Sequence, residues 1–163
     1  MNELNTQKLY ADFPRLYRNA TVPDSCMTWG FACGDGWFDI VYKLSADIEA
    51  DALAQGIDPA SNVWPAALQV KEKFGTLNFY VGIPKDDESE DEDSVAIEQH
   101  GQILSIHPVP SIASIRALVA EAAHRSATTC ESCGQPGTLI REGYWRTLCD
   151  QCEAAHQANS RPC

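Results

Sequence analysis

CESCGQPGTLIREGYWRTLCDQC, residues 130–152, gathers four of the chain's seven cysteines into 23 positions. They form two C-x2-C pairs, Cys130 with Cys133 and Cys149 with Cys152, fifteen residues apart. A C-x2-C turn aims two thiolates at one ion, and an intervening hairpin brings the second pair round to complete a tetrahedron of sulfur. Gly134 and Gly137 suit a sharp knuckle after the first pair. Residues 138–148 are long enough for a small hairpin, and the second pair opens the helix-compatible run DQCEAAHQA. Knuckle, hairpin and helix in that order make a treble clef; a zinc ribbon, with both pairs on hairpin knuckles, is the alternative. Soft thiolates in a tetrahedral set favour zinc over iron–sulfur chemistry. With cysteine at all four positions no vertex is left for water, so the expected Zn2+ is structural.

The surroundings agree with a metal reading. The first twenty residues lack a basic segment followed by an apolar one, and no apolar run approaches the roughly 20 residues of a membrane span. The expected location is the cytoplasm, where cysteine pairs are metal ligands before they are disulfides. At 163 residues and 44% hydrophobic content, the chain is long enough to bury a real core. Its net charge of -11 is mostly local, because DDESEDED at 86–93 holds seven acids and no base, leaving about -4 elsewhere.

Upstream, apolar side chains at Trp37, Ile40, Val41, Leu44, Ile48 and Ala52 recur every three or four residues, the period of one helical face. The spacing predicts a helix over 36–54, with Asp35 as N-cap and Gly56 beyond its end. In ALQVKEKFGTLNFYVGI, residues 67–83, Leu68 and Val70 alternate with polar residues before Gly75, and Leu77, Phe79 and Val81 do so after it. That is the period of two half-buried strands joined by a tight turn. A short strand is expected at 103–106, stopped by Pro108 and Pro110. A second helix follows, with Ser111 as N-cap and Ile112, Ile115, Leu118, Val119 and Ala122 on one stripe. The fold class is therefore α+β: a helix-plus-hairpin body over 1–110, carrying the acidic loop 86–93, and a helix with the four-cysteine zinc module over 111–163, packed with the body as one unit.

Other residues invite chemical readings. Cys26 and Cys33, with His100 and His107, would make a second metal site, but lone cysteines are more often small buried hydrophobes; Cys163 reads as a free thiol. Asp35 and Asp39 in CGDGWFD would serve a small hydrolase or nuclease only if folding brought a histidine to them. Large aromatics such as Trp29, Trp37, Trp64 and Trp145 anchor cores more often than they bind ligands. Lys71, Lys73, Arg141 and Arg146 are candidates for nucleic-acid contact, which the net acidity disfavours.

GDGWFDIV, QVKEKFGTLNFYV and the CESCGQPG with TLCDQC pair, in that order, together resemble a family of small uncharacterised proteins of bacteriophages, prophages and bacterial genomes. The blocks span residues 29–152. The resemblance implies a phage or mobile-element setting and transfers no catalytic residue. The expectation is a non-enzymatic, zinc-stabilised protein that binds a host protein, in the host cytoplasm if phage-encoded. A nucleic-acid-binding regulator, an acidic DNA mimic built on 86–93, and a small hydrolase are the alternatives.

Overall fold

A computed structural model describes residues 1–84, 95–99, 102–107 and 112–159. The elements in chain order are α1 (Glu3–Asp12), β1 (Phe31–Ala32), α2 (Phe38–Ala54), β2 (Ala66–Lys73), β3 (Thr76–Pro84), β4 (Val95–Gln99), β5 (Gln102–His107), α3 (Ile112–Ser126), β6 (Thr138–Ile140), β7 (Arg146–Leu148) and α4 (Asp150–Asn159). The class is α+β, as the two hydrophobic periods imply. The acidic run 86–93, Ser111, His100 and Cys163 lie outside the described residues. No helix among the described residues is long and apolar enough to cross a membrane.

Helix α2 buries Ile40, Val41, Leu44, Ile48 and Ala52, the stripe its sequence displays, and Trp37 joins the core from just before it. The helix starts later than its periodicity suggests, because residues Asp35–Trp37 form a 3-10 turn first. Asp35 does not cap it. Its carboxylate instead accepts the Asn2 N–H (2.7 Å) and the Asn5 side-chain amide (3.0 Å) across the chain, at the start of α1. These bonds, the Asn2 contact first, hold its pKa below the usual carboxylate value. At the other end, Gly56 N–H bonds to Leu53 O and Ile57 N–H to Ala52 O, the paired closure that ends many helices.

Five strands run in the order β1-β2-β3-β5-β4, with β1 parallel to β2 and the remaining neighbours antiparallel. The expected hairpin is β2–β3. Phe74 (φ +57°) and Gly75 (φ +78°) occupy its two-residue turn, both in the left-handed region that matches the strands' twist. A bulge between Ala67 and Gln69 corrects the simple alternation: Leu68 is only half-buried, and Ala67 joins Val70, Leu77 and Phe79 in the core. Strand β5 encloses the predicted 103–106 strand, and β4 is its unforeseen partner. Helix α3 lies against α2 and β3, burying Ile115 and Ala122, with Leu118 and Val119 packed at the edge.

The aromatic expectation holds for two tryptophans and fails for two. Trp37 and Trp64 are buried, whereas Trp29 is 88% exposed and Trp145 39% exposed. Tyr10, Tyr17 and Phe31 instead form the ring cluster beneath α1, their centroids 5.1 to 5.7 Å apart.

Candidate metal centre

Beyond α3 the chain makes the first C-x2-C turn, the β6–β7 hairpin and α4. Cys130 and Cys133 sit on the turn, Cys149 just before α4 and Cys152 in its first helical turn. The turn is fixed by backbone bonds from Gly134 N to Cys130 O (2.9 Å) and from Cys130 N to Gln135 O (2.7 Å). Strand β7 braces it through Glu131 N to Thr147 O (2.9 Å). The four sulfur atoms all lie within 4.8 Å of one another, and Cys133 and Cys149 are 3.6 Å apart.

That spacing fits a shared ion. Zinc–sulfur bonds of about 2.3 Å in a tetrahedron separate the sulfurs by about 3.8 Å, whereas a disulfide needs about 2.05 Å. The four thiols differ in their surroundings. Burial works to raise the Cys130 thiol, but backbone N–H donors from Cys149, Cys133 and Ser132, with the Cys133 side chain, outweigh it and bring the pKa down to about 7. Hydrogen bonding with Cys133 and Cys149 pushes the Cys152 thiol up to about 12. Four thiols this close ionise together only if a cation shares their charge. Cys130 is wholly buried and Cys133 exposed, so the cluster has one wall against the protein and one face toward solvent.

The wall is the GDGW stretch. Gly36 N–H donates to Glu131 O (2.7 Å), Gly34 N–H to the Glu131 carboxylate (2.9 Å) and the Trp37 indole N–H to Thr129 O (2.7 Å). A Cβ on Gly36 would sit 2.2 Å from Cys130 O and 2.4 Å from Gly134 N; one on Gly34 would sit 2.3 Å from Glu131 O. The two glycines are where the body's backbone touches the cysteine-bearing turn. Burial, chiefly, raises the Glu131 carboxyl pKa above the ordinary value.

The β2–β3 turn makes a second contact. Thr147 Oγ1 donates to Gly75 O (2.6 Å), Gly75 N–H to Glu72 (2.6 Å) and the Tyr144 hydroxyl to the other Glu72 oxygen. The Glu72 bond pushes the Tyr144 phenol up to about 12. Phe74 meets Trp145 edge to face at 5.8 Å. The GDGW stretch thus packs on the first C-x2-C turn, and the β2–β3 turn packs on the β6–β7 hairpin.

The remaining candidates separate. Lys73 lies over the Phe74 ring (5.4 Å) and Arg141 over the Trp145 ring (5.2 Å), so these two cations flank one aromatic pair. Lys71 lies over Tyr80 (5.5 Å) instead, and Arg146 contacts the His156 ring. Asp35 is committed to Asn2 and Asn5, and Asp39 stands in the first turn of α2. Cys33 is buried, and burial drives its thiol up to about 12; neither it nor Cys26 belongs to the four-sulfur cluster. Glu131, Glu72 and Thr147 are the residues the sequence concealed, since nothing local marks a side chain whose partner is distant in the chain.

A scan of protein-family models finds no match to this chain, and neither does a search of curated proteins or of solved structures.

Proposed function

We propose that this chain is a non-enzymatic, zinc-stabilised binding protein that acts on a host macromolecule in a phage or mobile-element setting. The observation that carries the reading is the convergence of the Cys130, Cys133, Cys149 and Cys152 sulfurs within 4.8 Å of one another, beside a C-x2-C turn to which the body is hydrogen-bonded. The order of turn, hairpin and helix, with Cys152 inside the helix, favours a treble clef over a ribbon. Zinc held by four thiolates contributes folding free energy and keeps no position for a reacting water. The chain's own groups do the rest: the Cys130 thiol is poised by N–H donors, and Gly34, Gly36 and Trp37 couple the turn to α2.

The mobile-element setting rests on the sequence resemblance, and a survey of neighbouring genes free of phage functions would remove it. The metal reading is tested by elemental analysis of protein purified without added metal. One zinc per chain with no iron absorbance is expected; a folded chain free of metal contradicts it.

A further inference from the structure

Strand β3 leaves part of one edge open. The two-residue turn at Phe74 and Gly75 makes Lys73 and Thr76 the first hydrogen-bonded pair of the hairpin, and in an antiparallel ladder such pairs alternate with pairs that point outward. Thr76, Asn78 and Tyr80 therefore bond to β2, while Leu77, Phe79, Val81 and Ile83 turn their N–H and C=O groups to the other side. Two contacts fit this alternation: Leu77 N–H donates to Ser126 Oγ at the end of α3 (2.8 Å), and Ile83 lies opposite His107 of β5. Strand β5 pairs only with Ile83 and Pro84. Between these two anchors the Leu77 carbonyl and the peptide groups of Phe79 and Val81 meet no hydrogen-bond partner among the described residues. Native sheet edges are ordinarily blunted by a lysine, a proline or a bulge, and the run from Leu77 to Val81 carries none of these.

Helix α3 runs beside this edge and leaves a groove of about 340 Å³, walled by Leu77 to Val81 on one side and by Ile115, Val119, Ala120 and Ala123 on the other. The two alanines are too small to close it. We propose that this groove docks an extended segment of a partner protein, with apolar residues at alternate positions, which adds a strand to the edge of β3 in line with β5. The unpaired peptide groups recur at every second residue, and an extended backbone supplies N–H and C=O groups with the same repeat. An apolar small molecule would meet the side-chain walls and leave those groups desolvated without partners. A second copy of this chain would bring its own α3 against this one, because the helix flanks the edge in every copy. The inference gives the binding protein proposed above its docking face and rests on that reading.

Nitrogen-15-labelled full chain, its zinc content measured, is titrated with three capped octapeptides in which threonine alternates with valine, leucine or phenylalanine, and amide exchange is followed by NMR. In the free chain the Phe79 and Val81 amides should exchange roughly tenfold faster than those of Asn78 and Tyr80, and saturating peptide should remove that difference. The same peptide N-methylated along its pairing edge should bind roughly tenfold more weakly, through lost hydrogen bonds. Ala120→Trp, at an exposed helix position, fills the groove and should weaken binding as much. Phe79 and Val81 amides as protected in the free chain as Asn78 and Tyr80 would show the edge already covered, and overturn the proposal. Failure of all three peptides to bind a chain that holds one zinc overturns it too, leaving the metal reading intact; peptide binding by a metal-free chain keeps the groove and rejects the metal reading. Equal binding of the N-methylated peptide, or binding of decanoate alone, reassigns the groove to an apolar ligand. Concentration-dependent dimerisation that protects the same amides assigns the edge to a second copy instead. If Ala120→Trp loses zinc, the N-methylated peptide decides alone: weaker binding supports the proposal, and equal binding contradicts it.

Discussion

Gly36→Ala puts a methyl group where the turn carrying Cys130 and Cys133 already stands. Its Cβ would lie 2.2 Å from Cys130 O, 2.4 Å from Gly134 N and 2.7 Å from Cys133 N, and all three are backbone atoms that cannot rotate away. Reaching ordinary contact requires the α2 entry loop and the turn to separate by about 1 Å, an overpacking strain of about 1–3 kcal/mol. The separation also stretches the 2.7 Å bond from Gly36 N to Glu131 O, worth about 1 kcal/mol. A total near 3 kcal/mol lowers the melting temperature by roughly 6–12 °C for a chain of this size. Because the displaced atoms belong to the turn that carries Cys130 and Cys133, zinc affinity should fall as well, by roughly tenfold if about 1.4 kcal/mol of the strain is relieved on metal release. The assay pairs thermal unfolding by circular dichroism with zinc competition against a colorimetric chelator. Gly56→Ala is the control: its φ is positive, but nothing lies within 4 Å of its Cβ, so it should cost only about 1–2 kcal/mol and leave zinc affinity unchanged. A Gly36→Ala chain as stable as Gly56→Ala, with wild-type zinc affinity, refutes the docking.

Three further substitutions probe the supports. Tyr17→Phe removes a buried hydroxyl that bonds Ser45 Oγ at 2.6 Å, and should cost about 1–1.5 kcal/mol in urea unfolding. Thr147→Val leaves the Gly75 carbonyl without its buried donor and should cost about 1–3 kcal/mol, with chemical-shift changes at Phe74 and Trp145. Glu49, whose carboxyl pKa is raised chiefly by burial against the opposing Leu16 N–H bond, gives a signed pH effect. A carboxyl raised in the fold contributes stability that is complete below its unfolded pKa and is lost as pH rises through the folded one. Glu49→Gln should therefore flatten that decline, and chemical denaturation across pH 4 to 7 checks it; a steeper decline in the variant contradicts the burial assignment.

Much of this was legible in the chain. The stripe from Trp37 to Ala52 and the alternation of Leu77 with Phe79 are local periods, set by the geometry of one helix and one strand, and they survive into the fold. The cysteine pairs were legible because metal coordination restricts spacing as well as residue type. What escaped detection depends on tertiary placement. Asp35 has the chemistry of an N-cap, and the same acceptor oxygens serve α1 instead of α2. The bulge that displaces Leu68 depends on pairing with β3. Helix α1 buries only Leu9, too little to announce a period. Trp145 is indistinguishable by composition from Trp37, and only the partner atoms, Thr129 O for one and solvent with Arg141 for the other, separate their roles. Gly34 and Glu131 are 97 residues apart, so no window along the sequence joins them.

On the proposed metal reading, a thiolate-bound ion holds the turn to which α2 is attached. Hydrogen exchange at the Gly36 amide and the Trp37 indole N–H, followed by NMR before and after zinc is stripped by a chelator, addresses it directly. Both protons should be protected in the zinc-bound chain and exchange rapidly once the ion is removed, with protection restored on adding zinc back. Protection that persists unchanged in the stripped chain would show that the turn holds α2 without an ion.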